Sequence, residues 1–166
     1  VTIPGTGILM NNQMNNFAYR YGDKKERGRG ASTGNRFEPG KNPMSTMAPT
    51  MIFNKEGELV LVTGSPGGSL IPAAILRVIT GIIDFDLDIG QATMLPRVHK
   101  DWPKTGILYE RTVNSDVVRI INKRIGHKMT PEHTMGSTQS IHIINGVNYG
   151  YADLRRPGAS VSIQEN

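Results

Sequence analysis

The stretch with the clearest chemical character is Gly64-Ser65-Pro66-Gly67-Gly68-Ser69. It follows an apolar run and precedes a helical pattern, so it sits where a strand hands over to a helix N-terminus. Backbone N–H groups at such a place lack intrahelical partners, and the helix dipole favours negative charge there. Glycines let those N–H groups face inward and let a ligand come close. A phosphate, a carboxylate or the developing oxyanion of an acyl transfer would each suit the turn. It is not a Walker loop, because no Gly-Lys-Ser/Thr follows, and not a dinucleotide fingerprint, because the glycine spacing is wrong. The plain alternative is a tight strand–helix turn that only packs.

Other polar groups are less specific. Met44-Ser45-Thr46-Met47 offers adjacent hydroxyls that can donate to a carboxylate, or that simply start a strand. Asn11-Asn12-Gln13-Met14-Asn15-Asn16 is poor helix interior, because Asn side chains bond nearby backbone; it reads as Asx turns or as a donor-rich wall facing a polar ligand. His99, His127, His133 and His142 show no metal-ligand spacing, and His142, alternating with Ile141 and Ile143, is expected to face solvent from a strand. Asp84, Asp86 and Asp88 form no calcium loop and read as helix-end and capping residues. No metal site and no cofactor is expected. The chain has no cysteine, which excludes a thiolate nucleophile and disulfides, and no Gly-x-Ser-x-Gly elbow. By residue chemistry alone it can hold an acyl or carboxylate group but has no identifiable group to cleave it.

The elements that must position these residues follow from period and punctuation. Gly7–Met10 reads as a short strand. Met51–Phe53 and the apolar run Leu59–Val62 read as strands joined by a turn over Asn54–Glu58, and such a run suits a strand buried on both faces. Ile71, Ala74, Ile75, Val78, Ile79 and Ile82 recur three and four apart, predicting a helix over 70–83 with Pro72 in its first turn. A short helix over Ile89–Met94 is capped by Asp88 and stopped by Pro96. A strand over Gly106–Glu110 and a helix from Asn114 to Gly126 follow. Asn145-Gly146 between two β-rich runs predicts a hairpin. The order suits an α+β architecture with sheets packed between helices.

A length of 166 residues and a hydrophobic fraction of 37% fit one modest domain. A net charge of +5 is weak grounds for nucleic acid. Much of it sits in Lys24–Arg29, close to Tyr19 and Tyr21, within the aperiodic stretch 18–43. That stretch reads as a mobile loop or lid, least ordered over 24–34, with an RNA-binding tail as the alternative. No apolar run is long enough for a membrane-spanning helix. The chain starts at Val1, as a processed product or a fragment would.

Taken in order, several motifs carry a family resemblance over nearly the whole chain. They are Pro4-Gly5-Thr6-Gly7-Ile8-Leu9-Met10-Asn11-Asn12-Gln13-Met14, Met44-Ser45-Thr46-Met47-Ala48-Pro49-Thr50, Gly64-Ser65-Pro66-Gly67-Gly68-Ser69, Ala92-Thr93-Met94-Leu95-Pro96-Arg97-Val98-His99, Met135-Gly136-Ser137-Thr138-Gln139-Ser140 and Gly150-Tyr151-Ala152-Asp153. The sequence resembles the gamma-glutamyltranspeptidase family of N-terminal nucleophile hydrolases. The resemblance implies a four-layer αββα sandwich, of which this chain supplies part of the sheets and one helical layer. It also implies a self-cleaving precursor, a large-subunit partner, a small γ-glutamyl or glutaryl amide substrate, and a periplasmic or secreted location.

The family's nucleophile is an N-terminal Thr whose own α-amine serves as base, a sound pairing because that amine titrates near neutrality. Thr2 does not match it. The chain resembles the C-terminal part of the small subunit, beginning beyond the nucleophile, and is expected to be inactive alone. By resemblance Gly67 and Gly68 form an oxyanion hole, Ser45 and Thr46 bind the substrate α-carboxylate, and Gln13 and Asn16 lie at its α-amino group. Asn16 stands where the family usually has Asp, and Asn15 also replaces a common Asp. The loss of charge implies weaker recognition of a free glutamyl amine and tolerance of a glutaryl group, as in the related cephalosporin acylases. A non-catalytic domain binding small carboxylates or nucleic acid is the alternative of a different class.

Overall fold

The computed structural model describes residues 1–18, 33–101 and 106–157. The chain divides into two compact units, Val1–Ser45 and Thr46–Asn166.

In the first unit the expected strand over Gly7–Met10 is not formed. Gly5 and Gly7 turn the chain at positive φ, and Leu9 makes a single antiparallel bridge to Thr2. Ile8, Leu9 and Met10 are exposed, and among the described residues of this unit no strand pairs with them beyond that bridge. A one-turn 3-10 helix, Gln13–Asn16, occupies the Asn-rich segment, and its first turn is held by the Asn11 side chain accepting from the Gln13 N–H at 3.0 Å. Phe17 and Phe37 meet edge to face at 5.3 Å, and Ala18 bridges Arg36. Tyr19, Tyr21 and nearly all of the segment over 24–34 lie outside the described residues.

In the second unit, β1 (Thr50–Phe53), β2 (Leu59–Gly64), β6 (Gln139–Ile144) and β7 (Val147–Ala152) form an antiparallel sheet in the order β1-β2-β6-β7. β3 (Val98–His99), β4 (Ile107–Glu110) and β5 (Met129–Glu132) form a smaller mixed sheet, with β4 and β5 parallel. The helices are α1 (Ile71–Ile83), α2 (Ile89–Met94) and α3 (Ser115–Ile120). The fold is α+β. β3 and β5 were not legible: β3 has only two residues, and β5 contains Pro131 and shows little apolar alternation.

The expected turns and caps are present. Asn54 closes the β1–β2 hairpin, accepting the Glu58 N–H on its side chain at 2.8 Å. Asp88 and Gln91 form a reciprocal capping box on α2. Asn145-Gly146 turns β6 into β7 with both residues at positive φ. The segment from Asn114 to Gly126 departs from the expected single α-helix: after Ile120 it widens into a π-type turn over Ile121–Ile125, which Gly126 ends. Val117, Ile120 and Ile125 are exposed, while Val118 and Ile121 are half-buried.

The core lies between the β2 face that carries Leu61 and the two helices α1 and α2. Leu61, Val78, Ile89 and Ala92 are buried there, with Ile52, Ile79, Ile82, Leu87 and Tyr151 packed around them. The other face of the sheet carries Met51 and Ile141, both exposed, and Val62 between them in register. The expectation that β2 is buried on both faces is therefore corrected: among the described residues Leu61 and Thr63 on one face are buried, while Val60 and Val62 on the other are only half-buried.

His142 also departs from expectation. Register places it beside Leu61, on the core side of the sheet, where it is half-buried and its Nδ1 is enclosed without a hydrogen-bond partner among the described residues. Burial pushes its imidazole pKa down. The apolar Ile141 and Ile143 beside it misled the reading, because alternation shows which residues share a face but not which face is covered.

Candidate functional site

The turn from β2 into α1 is built from Gly64 to Leu70. A short 3-10 turn, Gly68–Leu70, runs directly into α1, so the helical N–H array begins at Gly68. Gly67 has φ 147° and ψ 5°, a backbone that only glycine adopts without strain. The ψ value near zero eclipses the Gly67 and Gly68 nitrogens about the Cα–C bond. With this φ and a trans peptide to Gly68, the two N–H vectors converge on one point. Neither amide donates a hydrogen bond among the described residues, and both residues are half-buried. Convergent, uncommitted backbone donors at a helix N-terminus are an anion-binding concavity.

A second loop holds this turn. Met135, Gly136, Ser137 and Thr138 are all buried. Gly136 adopts φ 73°, and a Cβ there would lie 2.6 Å from the Ser65 hydroxyl oxygen and 3.1 Å from the Pro66 carbonyl oxygen. The missing side chain is what lets the two loops touch. Ser137 N–H donates to Ser65 Oγ at 3.0 Å, and that hydroxyl donates to the Pro66 carbonyl at 2.8 Å.

The second loop is anchored in turn by a buried ionic cluster. Arg97 donates to Asp153 and to the Met135 carbonyl, each at 2.7 Å, and to Thr138 Oγ1 at 3.1 Å. Asp153 accepts the Thr138 N–H at 2.8 Å, and Glu110 accepts the Met135 N–H at 2.9 Å and the Arg97 N–H at 3.0 Å. Arg155 reaches both Glu110 oxygens at 2.7 Å and Asp153 at 3.2 Å, and donates to the Thr93 carbonyl of α2 and the Leu95 carbonyl just after it.

Burial pushes the Glu110 and Asp153 carboxyls up, but the arginines and backbone N–H groups around them win, and both are held below the ordinary carboxylate range. Burial and the neighbouring Arg155 together bring the Arg97 guanidinium down despite Asp153. For Arg155 burial acts in the same downward sense, yet its bonds to Glu110 and Asp153 carry it above its usual value. Sequence reading missed this cluster. Its members lie on three separate segments with no shared period, and nothing in one segment announces the others.

Gln13 and Asn16 are brought together, with Asn16 Nδ2 donating to Gln13 Oε1 at 2.7 Å. The bond commits the Asn16 amide as a donor, and its Oδ1 takes no hydrogen bond among the described residues. Ser45, exposed, ends the first unit, and Thr46, half-buried, opens the second. No cluster of three or more His, Asp or Glu side chains fit for a metal ion occurs among the described residues, and no described helix is long and apolar enough to cross a membrane.

The gamma-glutamyltranspeptidase family model matches residues 1–163. The chain belongs to the gamma-glutamyltranspeptidase family. The Escherichia coli glutathione hydrolase proenzyme is 37% identical over 151 residues, a match covering 90% of this chain and 26% of that protein. A solved variant of the Helicobacter pylori gamma-glutamyltranspeptidase superposes with a TM-score of 0.81 at 31% identity, over 94% of this chain and 86% of that one. A cephalosporin acylase from Bacillus halodurans is similar in structure as well, with a TM-score of 0.75 and 26% identity over 98% of this chain and 28% of that one. This gamma-glutamyltranspeptidase-family chain thus spans about a quarter of the length of the curated relatives it matches.

Proposed function

We propose that this chain supplies the oxyanion site and the acyl-donor contacts of an enzyme that transfers or hydrolyses γ-glutamyl amides, glutathione among them. The observation that carries the reading is the convergence of the Gly67 and Gly68 N–H groups, uncommitted among the described residues, on one point at the start of α1. A threonine N-terminal to its own chain and outside these residues is the nucleophile. Its hydroxyl oxygen attacks the γ-carbonyl and its α-amine takes the proton, while the carbonyl oxygen gains negative charge and is received by the two glycine amides. Collapse expels the amine, which recovers the proton, and leaves an ester. Water or an acceptor amine then attacks that ester through the same oxyanion, regenerating the threonine.

Ser45 and Thr46 are assigned to the donor α-carboxylate, and Gln13 and Asn16 to its α-amino group. The partners are the preceding part of the small subunit and a large subunit, formed by autoprocessing. In this reading the sheet face bearing Met51 and Ile141 is covered by a second sheet, giving the four-layer αββα sandwich, and the enzyme acts in the periplasm or outside the cell. The chain alone is inactive. Assembly with the missing segments is the test: amidase activity on a γ-glutamyl anilide is expected, and a correctly assembled complex with none returns the chain to a carboxylate- or nucleic-acid-binding role.

Asn16 favours a second reading within the same mechanism. An amide oxygen facing an ammonium lacks the full charge of a carboxylate, so selection for a free α-amine weakens. Together with the structural likeness to the Bacillus halodurans acylase, this supports a glutaryl acylase. Rates on matched glutaryl and glutamyl amides decide: comparable values, or a glutaryl preference, support it, and a large glutamyl preference removes it.

A further inference from the structure

We propose that Ser65 is a positioning residue for the acyl-oxygen site, its hydroxyl fixing the peptide plane whose N–H belongs to Gly67. This rests on the reading of Gly67 and Gly68 given above and goes one step behind it. The Pro66 carbonyl and the Gly67 N–H share one trans peptide unit and point in opposite directions. Whatever pins that carbonyl aims that N–H. The proline ring locks its own φ, so the plane can turn only about the Pro66 Cα–C bond and the Gly67 N–Cα bond. Glycine at 67 offers no Cβ to resist the rotation, and φ 147° lies within a broad region open to it. A flip would present a carbonyl oxygen, in place of a donor, to an oxyanion.

Ser65 opposes the flip. Its hydroxyl donates to the Pro66 oxygen at 2.8 Å. The direction of that donation is set from behind, because the Ser137 N–H already occupies an acceptor position on Oγ at 3.0 Å. Gly136 has no side chain to displace that oxygen: a Cβ there would lie 2.6 Å from it. Ser65 touches no reacting atom in this scheme; it acts through the peptide.

The experiment uses the complete two-subunit enzyme, with a boronic-acid analogue of glutamate as a tetrahedral mimic and glutamate as the ground-state ligand. Ser65→Ala is expected to lower kcat per acylatable site about 10- to 100-fold with KM changed less than about twofold, since loss of a whole oxyanion donor costs about 100- to 1,000-fold. The ratio of boronate to glutamate affinity should fall by a matching factor, and Ser65→Thr, which keeps the hydroxyl, should restore it to within about threefold.

A merely structural serine would reduce the yield of folded enzyme and leave that ratio unchanged in Ser65→Ala, which overturns the proposal. If Ser65→Ala does not fold, Ser65→Cys replaces it with the same readout, because a thiol keeps the volume and donates weakly. A wild-type enzyme that binds the boronate no more tightly than glutamate sinks the oxyanion reading itself. Tight wild-type binding with an unchanged ratio in the variant sinks only the role of Ser65.

Discussion

The ionic cluster around Arg97 and the turn around Gly67 lie in the same unit and treat their polar groups in opposite ways. In the cluster nearly every buried donor and acceptor has a partner; Arg97 Nε and Thr93 Oγ1 are the enclosed exceptions. In the turn, two backbone donors have none among the described residues. Buried charge is tolerated only when paired and bonded, so the cluster is a framework. Donors left open cost stability, and the proposed function accounts for them by an acyl oxygen that arrives later. The loop Met135–Thr138 joins the two: the cluster binds its backbone, its Ser137 N–H donates to Ser65 Oγ, and only the absence of a Cβ at Gly136 leaves room for that hydroxyl.

That contrast can be broken at either end. The largest effect is expected from Asp153→Ala, which strands Arg97 in the interior; the loss should be about 3–5 kcal/mol, read by denaturant unfolding of the assembled enzyme. A loss under about 1 kcal/mol would mean that the cluster is not a framework. Next comes Gly67→Ala, which forces a side chain onto φ 147° and disturbs the converging N–H groups. It should lower kcat by about 100- to 1,000-fold, near 3–4 kcal/mol of transition-state stabilisation, with a smaller change in the unfolding midpoint. Equal damage to stability and none to rate would erase the distinction between the two regions.

The smallest effect sharpens the comparison through pH. Glu110 and Asp153 have folded-state pKa values below their unfolded ones, so their contribution is complete above the ordinary carboxylate range and is lost as pH falls through the folded values. His142, also lowered, binds a proton more readily when unfolded, so its contribution is complete above its ordinary value near 6.5 and fades as pH drops through the folded one. Melting curves from pH 8 to pH 3 should show a shallow decline beginning below about pH 6.5, absent in His142→Gln, and a steep one below about pH 4. A His142→Gln curve that matches the wild type throughout would show that the enclosed imidazole is not titrating.

Much of the second unit was legible. Asp88 with Gln91, Asn145-Gly146 and the apolar stripe of α1 each specify structure through neighbours in the chain, and each appears where those rules put it. The uncommitted N–H groups of Gly64–Ser69 were legible for the same reason, since a glycine-rich strand–helix turn exposes N–H groups by local geometry alone. The errors fell where the outcome depends on something distant. Gly7–Met10 is no strand because the single Thr2–Leu9 bridge is all the pairing it finds among the described residues, and His142 turned inward because α1 and α2 cover the face it shares with Leu61.

The sequence by itself therefore determined the local grammar: where helices start and stop, where the hairpin turns, and which turn has donors to offer. Only the tertiary structure decided that Arg97, Glu110, Asp153 and Arg155 would meet, that Gly136 would leave room for Ser65, and that the Ser137 N–H would reach the Ser65 hydroxyl. The physical reason is range. Caps and turns are settled by bonds a few residues apart, whereas pairing four charges drawn from separated segments becomes favourable only after the core has brought them out of water together.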